Sequence, residues 1–113
     1  DLKDPRQVLR PYMMAGELYN CGVVRAEVLR GIKQPQVLAD MEEFFNIVPE
    51  VPTDPKLWLK VSEIGWKLGR KGKWPPVTDL AIAACAMRVG ATLISPDRHF
   101  EDVDGLTLLT QLP

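Results

Sequence analysis

The longest uninterrupted apolar run in the chain is Leu80–Met87, eight residues. It lies within Val77–Phe100 (VTDLAIAACAMRVGATLISPDRHF), the stretch around which the rest is organised. Its pattern predicts a helix from Asp79 to Val89, a stop at Gly90, a buried strand over Ala91–Ser95 and an acidic turn. Such a helix spans roughly 16 Å and such a strand about 16 Å. A strand that turns straight back from the helix therefore brings Asp97 to the edge where Asp79 opens the helix. A strand's carboxyl end beside a helix N-terminus is where open α/β sheets place their ligands.

The remaining apolar positions predict alternating helices and strands. Asp4-Pro5 reads as a helix start, with a helix to Ala15, a stop at Gly16 and a kink at Pro11. A short strand over Leu18–Cys21 leads into a helix over Val23–Arg30 that ends at Gly31. A third helix covers Gln34–Phe45, with Val37, Leu38, Met41, Phe44 and Phe45 at helical spacing. Ile47–Val51, broken by Pro49, reads as an edge strand. Thr53 or Asp54 caps a long helix whose buried stripe is Leu57, Trp58, Val61, Ile64 and Leu68. A basic loop, Arg70–Pro76, precedes the organising stretch, and Leu106–Leu109 makes a last strand after Asp104-Gly105. Helices alternating with strands imply an α/β sandwich on a parallel sheet.

Composition narrows the function classes. A chain of 113 residues with 46% hydrophobic and 26% charged content suits one small globular domain. An eight-residue apolar run is too short to span a membrane. The charged opening, DLKDPRQVLR, does not read as a signal peptide, and because the chain opens on Asp1 rather than Met, residues upstream of it are expected. Cys21 and Cys85 sit in apolar segments and read as small buried hydrophobes of a reducing cytoplasm. A net charge of −1 gives no global attraction to nucleic acid, so any such attraction must be local.

The candidate chemistry is acidic. Glu27 lies one turn into the helix after Leu18–Cys21. If that strand runs parallel to Ala91–Ser95, Glu27, Asp79 and Asp97 share one sheet edge. Clustered carboxylates repel unless a cation neutralises them, and hard oxygen ligands suit Mg²⁺ or Mn²⁺. Such an ion can activate water and clamp a phosphate. Each acid also has a plainer role. Asp79 suits the helix dipole, Asp97 suits a turn, and Glu27 can pair with Arg30 at i,i+3.

The segments CGVVRAEVLRG (Cys21–Gly31), PPVTDLAIAACAMRVGATLISPDRHF (Pro75–Phe100) and GLTLL (Gly105–Leu109) resemble the PIN-domain ribonucleases, in particular the VapC-type toxins of toxin–antitoxin pairs. The resemblance runs over nearly the whole chain. It implies a PIN-like three-layer α/β/α sandwich around a small parallel sheet, as a single domain over residues 1–113. It also implies a hydrolase that cuts RNA with Mg²⁺ or Mn²⁺, leaving a 3′-hydroxyl and a 5′-phosphate. The family's second, third and fourth acids match Glu27, Asp79 and Asp97. Its first acid sits in an N-terminal apolar strand ahead of Thr or Ser, and that strand is absent from this sequence. Asp1 and Asp4, in DLKDPRQ, are too polar a setting to replace it. A small antitoxin protein and a homodimer are further implications of the resemblance.

The basic segment offers an RNA surface. Lys67, Arg70, Lys71 and Lys73 lie between Trp66 and Trp74, charges beside stacking faces for a single strand. Equally, basic residues favour a helix C-terminus and a solvated loop. Arg98 is a further candidate, with Arg25, Arg30 and Arg88. His99, the one histidine, either touches phosphate or packs the turn above Phe100. A PIN-like module that holds RNA or protein without cutting is the rival reading. Two expectations separate them in the sheet: strands 18–21 and 91–95 either leave a gap of one strand, about 10 Å, or pair directly.

Overall fold

The computed structural model describes residues 5–111. They form two compact units, divided between Glu50 and Val51. The Asp4 cap expected before Pro5, and Asp1, lie outside the described residues.

The first unit holds α1 (Pro5–Met14), β1 (Asn20–Cys21), α2 (Gly22–Arg30) and α3 (Pro35–Ile47). Pro35 occupies the first helical turn of α3, where its missing N–H costs nothing. Phe45 is the buried residue of α3, and Phe44 meets it edge-on at 5.6 Å between ring centroids. Arg25 on α2 donates to the Asn46 side-chain oxygen on α3 at 2.9 Å. The Asn20 N–H donates to the Pro49 carbonyl at 2.7 Å, and β1 pairs with β2 (Glu50–Val51). Ile47 belongs to α3 rather than to the strand expected at 47–51, because its helix continues two residues past Phe45. The Asn20 side-chain amide is buried without a hydrogen-bond partner among the described residues, and nothing in the structure explains it.

The second unit holds α4 (Pro55–Arg70), α5 (Val77–Arg88), β3 (Thr92–Ile94), a 3-10 turn over Arg98–Asp102 and β4 (Thr107–Leu109). Asp54 caps α4, its carboxylate accepting the Leu57 N–H at 3.1 Å. Leu57, Val61, Ile64 and Leu68 repeat at helical spacing and are buried. Trp58, expected in that stripe, is 44% exposed. One residue along from Leu57 turns a side chain about 100° around the helix, out of so narrow a stripe.

Helix α4 packs mainly on α5, which buries Leu80, Ala81, Ala83, Ala84 and Cys85. The contact is close: a Cβ on Gly65 would stand 3.0 Å from Leu80 Cδ1. At the C-terminus of α5 the Gly90 N–H donates to the Met87 carbonyl at 3.2 Å and the Ala91 N–H to Ala86 at 2.9 Å. Gly90 holds φ at +63°. This is the Schellman ending, and it turns the chain straight into β3.

Strand β3 pairs in parallel with β4, Thr92 opposite Thr107, Leu93 opposite Leu108 and Ile94 opposite Leu109. The parallel pairing and the surrounding helices give the α/β fold. The strand expected to be buried is not. Thr92 and Ile94 are exposed, Ile94 by 43%. Alternate residues of a strand share one face, and this face of β3 is left uncovered among the described residues, while Leu93 on the other face is half-buried. β1 and β3 belong to separate two-stranded sheets, so direct pairing between strands 18–21 and 91–95 is not found among the described residues.

Candidate functional site

Asp79 stands in the first turn of α5, three residues after Pro76, whose carbonyl accepts the Asp79 N–H at 3.0 Å. Pro76 has no side-chain oxygen with which to cap, and an acid in the first turn complements the unpaired amides there. Asp97 follows β3 and precedes the 3-10 turn. Its N–H donates to the Ser95 hydroxyl at 3.2 Å, which tightens the turn.

His99 joins these two places. Its Nε2 lies 2.6 Å from Asp79 Oδ2, a contact spanning twenty positions of sequence. An ionised carboxylate only accepts, so the imidazole nitrogen donates. The ring lies on Phe100 with centroids 5.1 Å apart and planes inclined by 31°. The packing against Phe100 is as the sequence suggested, and the bond to Asp79 is the contact that neither reading of His99 foresaw. The turn carrying Asp97 and the first turn of α5 meet through this bond. Asp79's side chain is 20% exposed, and no second donor reaches its carboxylate among the described residues. Glu27 lies on α2 in the first unit, exposed.

The donor chemistry of Asp79 fits a hard divalent cation: an accessible carboxylate with one oxygen held and acceptor capacity to spare. Asp97 offers the same oxygen chemistry on a short turn. No cluster of three or more His, Cys, Asp or Glu side chains suited to a metal occurs among the described residues.

The basic segment is largely neutralised. Lys67 pairs with Glu63 at 3.1 Å, Lys71 with Asp104 at 3.6 Å, and Lys73 with Asp102. Lys67 and Lys60 beside Glu63 hold its carboxyl below the usual range. Arg70 lies over the Trp66 ring, 5.0 Å from its centroid. Trp74 packs on Gly69, where a Cβ would stand 2.8 Å from the indole. Arg98 is 83% exposed and only 4.0 Å from its nearest carboxylate, Glu101. Arg25 is engaged by Asn46.

Arg88 is taken up by structure. Its guanidinium donates to both oxygens of Asp54, each at 2.6 Å, and to the Pro52 carbonyl at 3.2 Å. The paired guanidinium and the Leu57 N–H hold the Asp54 carboxyl far below its ordinary range. This clasp has no local sequence signal, since its partners are 34 positions apart.

No described helix is long and apolar enough to cross a membrane. No curated protein matches the chain. Among solved structures, the crystal structure of VapBC2 from Rickettsia felis bound to a DNA fragment from their promoter contains a chain of the same fold. The TM-score is 0.75 at 21% identity, over 91% of this chain and 81% of that one. The PIN domain family model matches residues 3–106. A match over that much of its length shows that the chain belongs to the PIN-domain family.

Proposed function

We propose that this PIN domain is a metal-dependent endoribonuclease of the VapC type, the toxin of a toxin–antitoxin pair acting in the cytoplasm. Glu27, Asp79 and Asp97 are its carboxylates toward Mg²⁺ or Mn²⁺. A small antitoxin and a second copy of the chain are its protein partners, as the fold shared with the VapBC2 chain supports. The observation that carries the reading is the His99–Asp79 bond, which ties the Asp97 turn to the start of α5. It leaves Asp79 accessible and half satisfied where a helix N-terminus favours ligands.

A divalent cation held there would supply activation of water and charge neutralisation at an RNA phosphodiester. The chain's own residues bind and orient. Asp79 presents its open oxygen while His99 holds the other. Asp97 adds a carboxylate from the adjoining turn. Arg98 reaches solvent with little to restrain it and suits a substrate phosphate. Lys67, Lys71 and Lys73 reach RNA only by leaving their carboxylates, whereas Arg70 and Trp66 offer a cation and a ring together.

The test is cleavage of single-stranded RNA by the full-length protein with Mg²⁺, with Mn²⁺ and with EDTA. Metal-dependent products bearing 5′-phosphates are expected. Binding without cleavage under every condition would favour the second reading, a module that holds RNA or protein. That reading draws on one observation, the lack of a three-donor cluster among the described residues.

A further inference from the structure

The geometry assigns to His99 the role of positioning residue for Asp79, holding one carboxylate oxygen so that the other faces a divalent cation. This rests on the metal-site reading above and adds a residue outside the three carboxylates. Three features of the pair carry it. The bond is short, 2.6 Å, between Nε2 and Oδ2. It is the one bond to the Asp79 carboxylate among the described residues, so without it two side-chain torsions of Asp79 are unrestrained. The histidine is itself seated, its ring against Phe100, and Phe100 is buried.

A packing role alone accounts for less. The His99 side chain is 42% exposed, so the ring lies at the surface rather than filling the core. A role as a direct ligand through Nε2 is also disfavoured, since that nitrogen is already spent on Asp79. Carboxylates that hold metals are commonly fixed by such an outer hydrogen bond. Losing one typically costs about 10- to 100-fold in metal affinity.

Two substitutions separate the donor from the ring. His99→Phe keeps the aromatic contact with Phe100 and removes the N–H. His99→Gln keeps an N–H near the place of Nε2 and removes the ring. Mn²⁺ affinity of the full-length protein, read from the electron paramagnetic resonance of free Mn²⁺, is expected to fall about 10- to 100-fold in H99F. In H99Q it should stay close to that of the unsubstituted protein. Equal or tighter Mn²⁺ binding by H99F overturns the assignment, as does an H99Q variant as weak as H99F. No Mn²⁺ binding by the unsubstituted protein overturns the metal-site reading and this assignment together. Bound Mn²⁺ that H99F leaves unchanged overturns this assignment alone.

A second measurement needs no folded His99 variant. The protein has one histidine, so its imidazole nitrogens are identified at once in a ¹⁵N spectrum of the metal-free protein. The Nε2–H form is expected, and Asp79→Ala should abolish that preference. A spectrum unchanged by D79A contradicts the bond itself.

Discussion

Helix α5 is tied to its surroundings by one charged residue near each end, and the two ties differ in what they leave over. At the C-terminal end Arg88 engages both oxygens of Asp54, and Asp54 also accepts the Leu57 N–H. That carboxylate is fully used. It joins the last turn of α5 to the cap of α4. At the N-terminal end Asp79 is held through one oxygen by one histidine and remains accessible. A saturated carboxylate serves the fold, and a half-satisfied one at a helix start is available to a ligand. Assigning chemistry to one end of α5 and architecture to the other makes the contrast testable by substitutions on a single helix and its partners.

The largest effect is expected at Asp79. Asp79→Asn keeps size and hydrogen bonding to His99 but removes the charge. It should abolish RNA cleavage while leaving the thermal unfolding midpoint near that of the unsubstituted protein. Cleavage assays and melts on the same preparation check both halves. Asp97→Asn should behave alike, and full turnover in either variant would remove that residue from the site.

Arg88→Ala should reverse the pattern. Cleavage persists, and the midpoint falls by a few degrees, because a partly exposed pair contributes modestly even when bidentate. Severe loss of cleavage with an unchanged melt would erase the distinction between the two ends.

Acid sharpens the contrast. The folded-state pKa of Asp54 is depressed below its ordinary value of 3.8. Its ion pair therefore stabilises the fold above about pH 4, and that contribution is lost progressively as pH falls below the ordinary value. Melts between pH 6 and about pH 2 should show this loss in the unsubstituted protein and a shallower one in Asp54→Asn. Parallel curves for the two proteins would mean that Asp54 is not what acid undoes.

The smallest effect concerns RNA affinity. Replacing Lys67, Arg70, Lys71 and Lys73 together by alanine should weaken binding and flatten its salt dependence. On a single strand the slope changes by about 0.7 for each phosphate that the protein no longer neutralises. Three of these cations are already ion-paired, so a change nearer one phosphate than four is expected. A change worth four phosphates would mean that RNA displaces every carboxylate partner.

What the sequence disclosed follows the range of the interactions involved. The cap at Asp54, the 57/61/64/68 stripe, the stop at Gly90 and the turn after Ser95 all depend on neighbours within about one or two helical turns. Local spacing made each of them readable. The PIN family was legible for the same reason, since TDLAIAAC and SPDRHF are local motifs. Hidden features depend on partners far along the chain. His99 meets Asp79 across twenty positions. Lys73 meets Asp102 across 29, which is why a run of cations that looked like an RNA groove is mostly ion-paired. The 3-10 turn at Arg98–Asp102 also went unread, because five residues carry too little periodicity to declare a helix. The exposure of Ile94 could not be foreseen from an apolar run, which shows that a strand is hydrophobic but not which of its faces is covered.

The contrast between the two ends of α5 is tested most directly by Mn²⁺ affinity, measured side by side for the unsubstituted full-length protein, Asp79→Asn and Asp54→Asn. Mn²⁺ binding is predicted to be lost in D79N and retained in D54N. Equal binding by D79N and the unsubstituted protein, or loss of binding in D54N alone, would contradict the assignment of chemistry to one end and architecture to the other.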